Sequence, residues 1–286
     1  MRLSYRALFS LAAPLQDPAI AGLAGERFVL LGGLDAADTS TAGVLVADLR
    51  VRGPVGSGSL PGAQHDAQAS TLQGEVYVFG GGEFTQYDHI LRFDPSRNTV
   101  SAAGVLPTAA SDVAVTQTGG TAYIIGGFDG TNWLDTILAW RPGSTARVVA
   151  RLPVGLRYAA VAAVNGKILI IGGTTPTSTS DAIYRFDPST GTVLQIGHLP
   201  QPITHAGAAT LGSSVFLIGG RGENLESQTD RMWSINPSNG AFRAAGRLPR
   251  ALSDAGVLSV GNAILVVGGR TSESTQAAVG ELVPAS

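Results

Sequence analysis

Short apolar runs recur along the chain, and six of them close on a pair of glycines. They are Phe28–Leu31 before Gly32-Gly33, Val76–Phe79 before Gly80-Gly81, and Ala122–Ile125 before Gly126-Gly127. Ile168–Ile171 then precedes Gly172-Gly173, Val215–Ile218 precedes Gly219-Gly220, and Ile264–Val267 precedes Gly268-Gly269. Successive first glycines are 48, 46, 46, 47 and 49 residues apart. Leu-Pro pairs keep step, with prolines at 61, 107, 153, 200 and 249, each 19 residues before its glycine pair. The first unit has Pro14, 18 residues before Gly32. A fixed period of this length marks a repeat architecture.

Each unit reads as four short strands. Two lie between the proline and the glycine pair, joined by a tight turn of which Asn165-Gly166 is the clearest, because both residues tolerate the positive φ of a type I′ hairpin. Gly74, Gly119-Gly120, Gly212 and Gly261-Asn262 hold the same place. A polar loop after the glycines leads to a third strand, such as His89–Phe93, ending at Asp94-Pro95, Arg141-Pro142, Asp187-Pro188 or Asn236-Pro237. Proline there ends the ladder and favours a turn. A fourth strand, such as Thr192–Ile196, runs into the next Leu-Pro. No segment of useful length has helical period. Four antiparallel strands per unit, six units long, predict an all-β, six-bladed β-propeller occupying residues 1–286 as one domain.

The ends complete one another. After Gly269 only 17 residues remain, enough for one loop and one strand, Ala277 to Val283. The N-terminal stretch, residues 4–12 followed by Pro14, aligns with the fourth strand of other units, so it is expected to close the ring as the outer strand of blade 6. The same stretch has the outline of a secretory signal: Arg2 and Arg6, apolar Ala7 to Leu15, then Ala19-Ile20-Ala21. It stays in repeat register through Leu23 and contains Asp17 and Pro18, so the strand reading is preferred.

The residues resemble the kelch-repeat family, and the resemblance runs over nearly the whole chain. The glycine pair after an aromatic-aliphatic strand is that family's hallmark, and Ile125-Gly126-Gly127-Phe128-Asp129-Gly130 is especially like it. Phe93, Trp140 and Phe186 match the aromatic before the turn, with Ile235 in the same place. The family's fourth-strand tryptophan is replaced by Val100, Val193 and Phe242. The resemblance implies a propeller that binds ligands through its loops, or a carbohydrate-active isomerase.

Composition narrows the chemistry. Cysteine is absent from the 286 residues, which excludes disulfides, thiolate metal sites and the cysteine–tyrosine crosslink of copper radical oxidases. The net charge is −2, and the 19 basic residues are scattered, so no nucleic-acid partner is expected. Only one of them is lysine, which with abundant Ala and Gly suggests a GC-rich bacterial genome. No run of about 18 apolar residues is present to span a bilayer as a helix. An extracytoplasmic, monomeric domain is expected, with a cytoplasmic one as the alternative.

Candidate site residues follow from the register. In a kelch-like blade the proline loop and the post-glycine loop reach the same mouth of the central channel. Fifteen residues before each first glycine stand Asp17, His65, Ser111, Arg157, Thr204 and Ser253; fourteen before stand Pro18, Asp66, Asp112, Tyr158, His205 and Asp254. Past the glycines lie Asp35, Glu83, Asp129, Arg221 and Arg270. The binding set is His65, Asp66, Glu83, Asp112, Arg157, Tyr158, His205, Arg221, Asp254 and Arg270. Arginine grips carboxylates in a bidentate fork, and Tyr158 and His205 can stack on a sugar. Asp66, Asp112 and Asp254 are oxygen donors suited to a hard cation, but no cofactor or metal is expected, since no histidine pair has ligand spacing. The expected function is a ligand- or protein-binding module, for a protein or glycan, working at the channel mouth. The alternative is a sugar isomerase, for which Tyr158, His205 or an Asp supplies acid and base.

Overall fold

The computed structural model describes residues 1–285. Six four-stranded antiparallel sheets stand around a central axis. Blade 1 begins at Ala19, and blade 4 shows the pattern: Ala160–Val164 innermost, then Lys167–Ile171, Ala182–Asp187 and Thr192–His198 outermost. Its first hairpin turns on Asn165 and Gly166 with φ of 50° and 74°, the left-handed pair a two-residue turn needs.

Blade 6 takes three strands from the C-terminal end, Gly256–Val260, Ala263–Val267 and Ala278–Pro284. The fourth is Leu3–Ser10, paired with Ala278–Pro284 from Leu3 opposite Pro284 to Ser10 opposite Ala278. The N-terminal strand therefore closes the ring. No helix among the described residues is long and apolar enough to cross a membrane.

The core is six wedges, one between each pair of neighbouring blades. Blades diverge outward, so small residues serve near the axis and bulky ones farther out. Ala160 and Ala162 lie on the innermost strand of blade 4. Phe93, Trp140 and Phe186, the aromatics before the turns, are fully buried between blades. Trp140 meets Tyr77 and Phe79 edge-on at 4.8 and 5.5 Å. Each such side chain removed from water contributes about 1.5–3 kcal/mol.

The glycine pairs are the joints of the ring. The second glycine donates its N–H to the segment entering the next blade: Gly33 to Gln64, Gly81 to Ala110, Gly127 to Leu156, Gly173 to Ile203, Gly220 to Leu252 and Gly269 to Leu15. The first glycine sits against that same carbonyl. At Gly172, with φ of 63°, a β-carbon would press into the carbonyl oxygen of Ile203. A side chain is thus excluded by both backbone conformation and close approach.

Candidate functional site

Where each proline loop turns into an innermost strand, one residue adopts a left-handed conformation: Asp17, Asp66, Asp112, Tyr158, His205 and Asp254, with φ between 49° and 60°. They form a belt around the channel. Asp112 N–H donates to the Asp66 carbonyl, Tyr158 to Asp112, His205 to Tyr158, Asp254 to His205, and Asp17 to Asp254, at 2.9–3.3 Å. Aspartate and histidine tolerate this conformation better than most residues, but tyrosine does not. Tyr158 is held there by its surroundings, and such strain gathers at binding sites.

Asp17 therefore belongs with Asp66 and Asp112, not with His65 as strict counting suggests. Its belt neighbour before it is Gln16, which pairs with Leu34 as His65 pairs with Gly82 and Arg157 with Thr174. The one-residue shortfall at Pro14 is the trace of this in the sequence.

The belt has two unlike arcs. Blades 6, 1, 2 and 3 supply four carboxyls, and blades 4 and 5 supply two rings. Burial raises all four carboxyls. Asp17 is held well above the usual carboxylate range by burial and then by Asp254. Asp66 and Asp254 are raised chiefly by burial. Asp112 is pushed up to about 8 by burial and then by Asp66, against the pull of Arg157. Asp66 and Asp112 are neighbours in the belt, and the charge of Asp66 adds to the rise of Asp112.

On the other arc, Tyr158 and His205 stack with centroids 3.7 Å apart and planes 26° from parallel. Arg221 Nη2 lies 3.1 Å from His205 Nε2, and Thr204 Oγ1 lies 3.0 Å from Nδ1. Since arginine only donates, Nε2 accepts and Nδ1 carries the proton. Burial, Arg221 and Arg157 hold His205 well below its ordinary range, so the ring is neutral.

Arg157 joins the arcs. Its guanidinium lies 4.4 Å from the centroid of Phe128, 4.8 Å from Tyr158 and 5.5 Å from Trp133, a cage that favours a cation. Its Nη2 is ion-paired with Asp112 and donates to the Tyr158 hydroxyl at 3.0 Å. That hydroxyl donates to Asp66 at 3.2 Å.

Two cavities meet here. The channel, about 420 Å3, runs between the innermost strands with the belt at one end. A second, about 480 Å3, lies at the mouth over blades 4 and 5, walled by Trp133, Arg157, Arg221, Thr204 and the Thr174–Thr179 loop. Tyr158 and His205 line both. Asp66, Asp112 and Asp254 line the channel.

The other sequence-derived candidates lie outside both cavities. His65 is half-buried beside Asp66, its Nε2 3.5 Å from Oδ2. Arg270 turns to Asp38 at 2.7 Å, across the seam between blades 6 and 1. Glu83 is exposed on its loop. Among the described residues no three His, Asp or Glu side chains converge as metal ligands. Phe128 and Trp133 were not among the sequence candidates. They are apolar loop residues of blade 3, and only the ring geometry carries them to Arg157.

Residues 155–199, which span blade 4, match the Kelch motif family model. No curated protein matches the chain in sequence. The solved structure of YjhT superimposes with a TM-score of 0.82 at 17% identity, covering 96% of this chain and 95% of that one. It is one of 1209 solved chains that match, so the fold alone does not select a function. The chain is thus a β-propeller of six four-stranded blades, and its fourth blade carries a Kelch motif.

Proposed function

We propose that the chain binds a small, hydroxylated carboxylate, of the size of a monosaccharide acid, in the mouth cavity over blades 4 and 5. The observation that carries this is Arg157, a caged guanidinium on the wall of a concave cavity. Around it stand hydroxyls of Thr174, Thr175, Ser178 and Thr204, which suit sugar hydroxyls. A volume of about 480 Å3 is in the range of small-ligand sites. A protein partner would ask for a broad surface of roughly 800 Å2 per side instead.

A second reading, ring-opening isomerisation of such a sugar, is favoured by the placing of Asp66 and Asp112 on the channel beside Tyr158, which lines both cavities. Burial and Asp66 push Asp112 up to about 8, so a carboxyl able to give a proton stands beside one able to take it. Mutarotation needs only such a pair near the ring oxygen and the anomeric hydroxyl.

Calorimetry with a panel of neutral sugars and sugar acids tests the first reading, and exchange NMR of their anomers tests the second. Saturable binding of acids over neutral sugars supports the site. Accelerated anomer exchange, lost in Asp112→Asn, supports the enzyme. Equal affinity for glucose and glucuronate removes the role given to Arg157.

A further inference from the structure

Arg157 serves two masters. Its Nη2 is the counter-charge of Asp112 and the donor to Tyr158, and the same guanidinium walls the mouth cavity. Its Nε is buried without a partner, so an incoming ligand meets the Nη1–Nη2 end. A carboxylate bound in a fork needs two parallel N–H groups, so it must claim Nη2.

Asp112 has little else. Its side chain is 1% exposed, and neither oxygen accepts a hydrogen bond of good geometry. The groups around it are Asp66 and His65 of blade 2, Arg157 and Tyr158 of blade 4, and, farther round the belt, Asp17 and Asp254. His65 is raised by Asp112 but lowered more by burial, so it is a weak substitute cation. Without Arg157, a buried carboxylate faces other carboxyls. Burying an unpaired charge is expensive, and the group takes up a proton instead.

We infer that a carboxylate entering the mouth cavity draws Arg157 away from Asp112, and that the Asp66–Asp112 pair takes up one proton from solvent as the ligand binds. The inference rests on the mouth cavity being a carboxylate site. It gives that site a pH response: affinity falls as pH rises, because alkaline solution withholds the proton. The shared use of one arginine makes the ligand compete with Asp112, and protonation relieves the competition.

Titration of D-glucuronate into the full chain at pH 8, in phosphate, HEPES and Tris, reads the protons exchanged from the dependence of heat on buffer ionisation enthalpy. Asp112 already holds its proton about half the time at pH 8, so the expected result is net uptake of up to about half a proton per ligand. In Asp112→Asn the uptake should vanish, and affinity at pH 9 should exceed that of the native chain several-fold, since Arg157 is then uncontested. Glucuronate binding with no proton exchange in the native chain overturns the inference and leaves the carboxylate site standing. No binding of glucuronate overturns the site reading and the inference with it. An arm without ligand follows the Asp112 carboxyl carbon by NMR in Arg157→Gln. Its titration midpoint should rise by about one pH unit or more, and an unmoved midpoint overturns the inference.

Discussion

Each blade presents its neighbours with two kinds of position, 14 or 15 residues apart, and they behave oppositely. At the joint, every blade uses the same two glycines, each second glycine donating to the carbonyl that opens the next blade. At the belt, the backbone is equally uniform, but the side chains are Asp, Asp, Asp, Tyr, His and Asp. Where the geometry leaves no room for a side chain, the sequence is fixed. Where the backbone alone carries it, the side chains are free to differ, and one asymmetric mouth results from six similar units. Repetition builds the ring, and the break in repetition at blades 4 and 5 makes the site.

The sharpest test of the joint compares two glycines of blade 4. Gly166 and Gly172 have φ of 74° and 63°, but a β-carbon at Gly166 meets nothing, and one at Gly172 meets the Ile203 carbonyl. Gly172→Ala should cost roughly 3 kcal/mol or more and Gly166→Ala about 1 kcal/mol, read by urea denaturation. Equal costs would mean that backbone strain alone explains the pair.

The belt should announce itself in the pH dependence of stability. Asp112 binds a proton in the native chain up to about pH 8, whereas the unfolded chain releases it near 4. A raised carboxyl makes stability fall as pH climbs through that window. Asp112→Asn should remove about 2–4 kcal/mol of this fall, so its melting temperature should gain on the native chain between pH 5 and 9. Parallel pH profiles for the two proteins would show that the carboxyl is not buried as described.

One joint departs from the rest. The carbonyl that receives Gly33 belongs to Gln64, where the other five blades place Leu15, Ala110, Leu156, Ile203 and Leu252. Gln64 is fully buried, and neither polar atom of its amide has a partner. Gln64→Leu should raise stability by roughly 1–3 kcal/mol, seen as a higher melting temperature. A lower one would assign the amide a partner.

The smallest change in stability is expected at the mouth. Arg157→Gln should weaken glucuronate binding tenfold or more, about 1.4 kcal/mol, while melting within a few degrees of the native chain. Tyr158 is less dispensable than a loop position suggests. It is stacked on His205 and hydrogen-bonded to Asp66, so Tyr158→Ala should cost stability as well as binding.

The ring and its closure were legible in the sequence because glycine pairs and prolines recur for local reasons. Asp66, Asp112, Tyr158, His205 and Asp254 were legible for the same reason, since a fixed register maps onto one level of the channel. The cage around Arg157 was not, because Phe128, Trp133 and Asp112 reach it from the adjacent blade. Arg270 shows the converse: it shares the register of Arg221, yet Asp38 of blade 1 draws it to a seam rather than to the cavity.

The belt hydrogen bonds also run five links out of six. Among the described residues, Asp66 N–H makes no bond to the Asp17 carbonyl. The open link lies between blades 1 and 2, beside the stranded amide of Gln64, and not at the strand-sealed junction of the chain ends. A zip with one tooth gone parts at the gap rather than at its clasp. Under heat or pulling force, the first water to enter the ring should do so between blades 1 and 2. Amide protons of Ala69 and Val78 at that boundary should then exchange for deuterium before those of Val279 at the N-to-C closure.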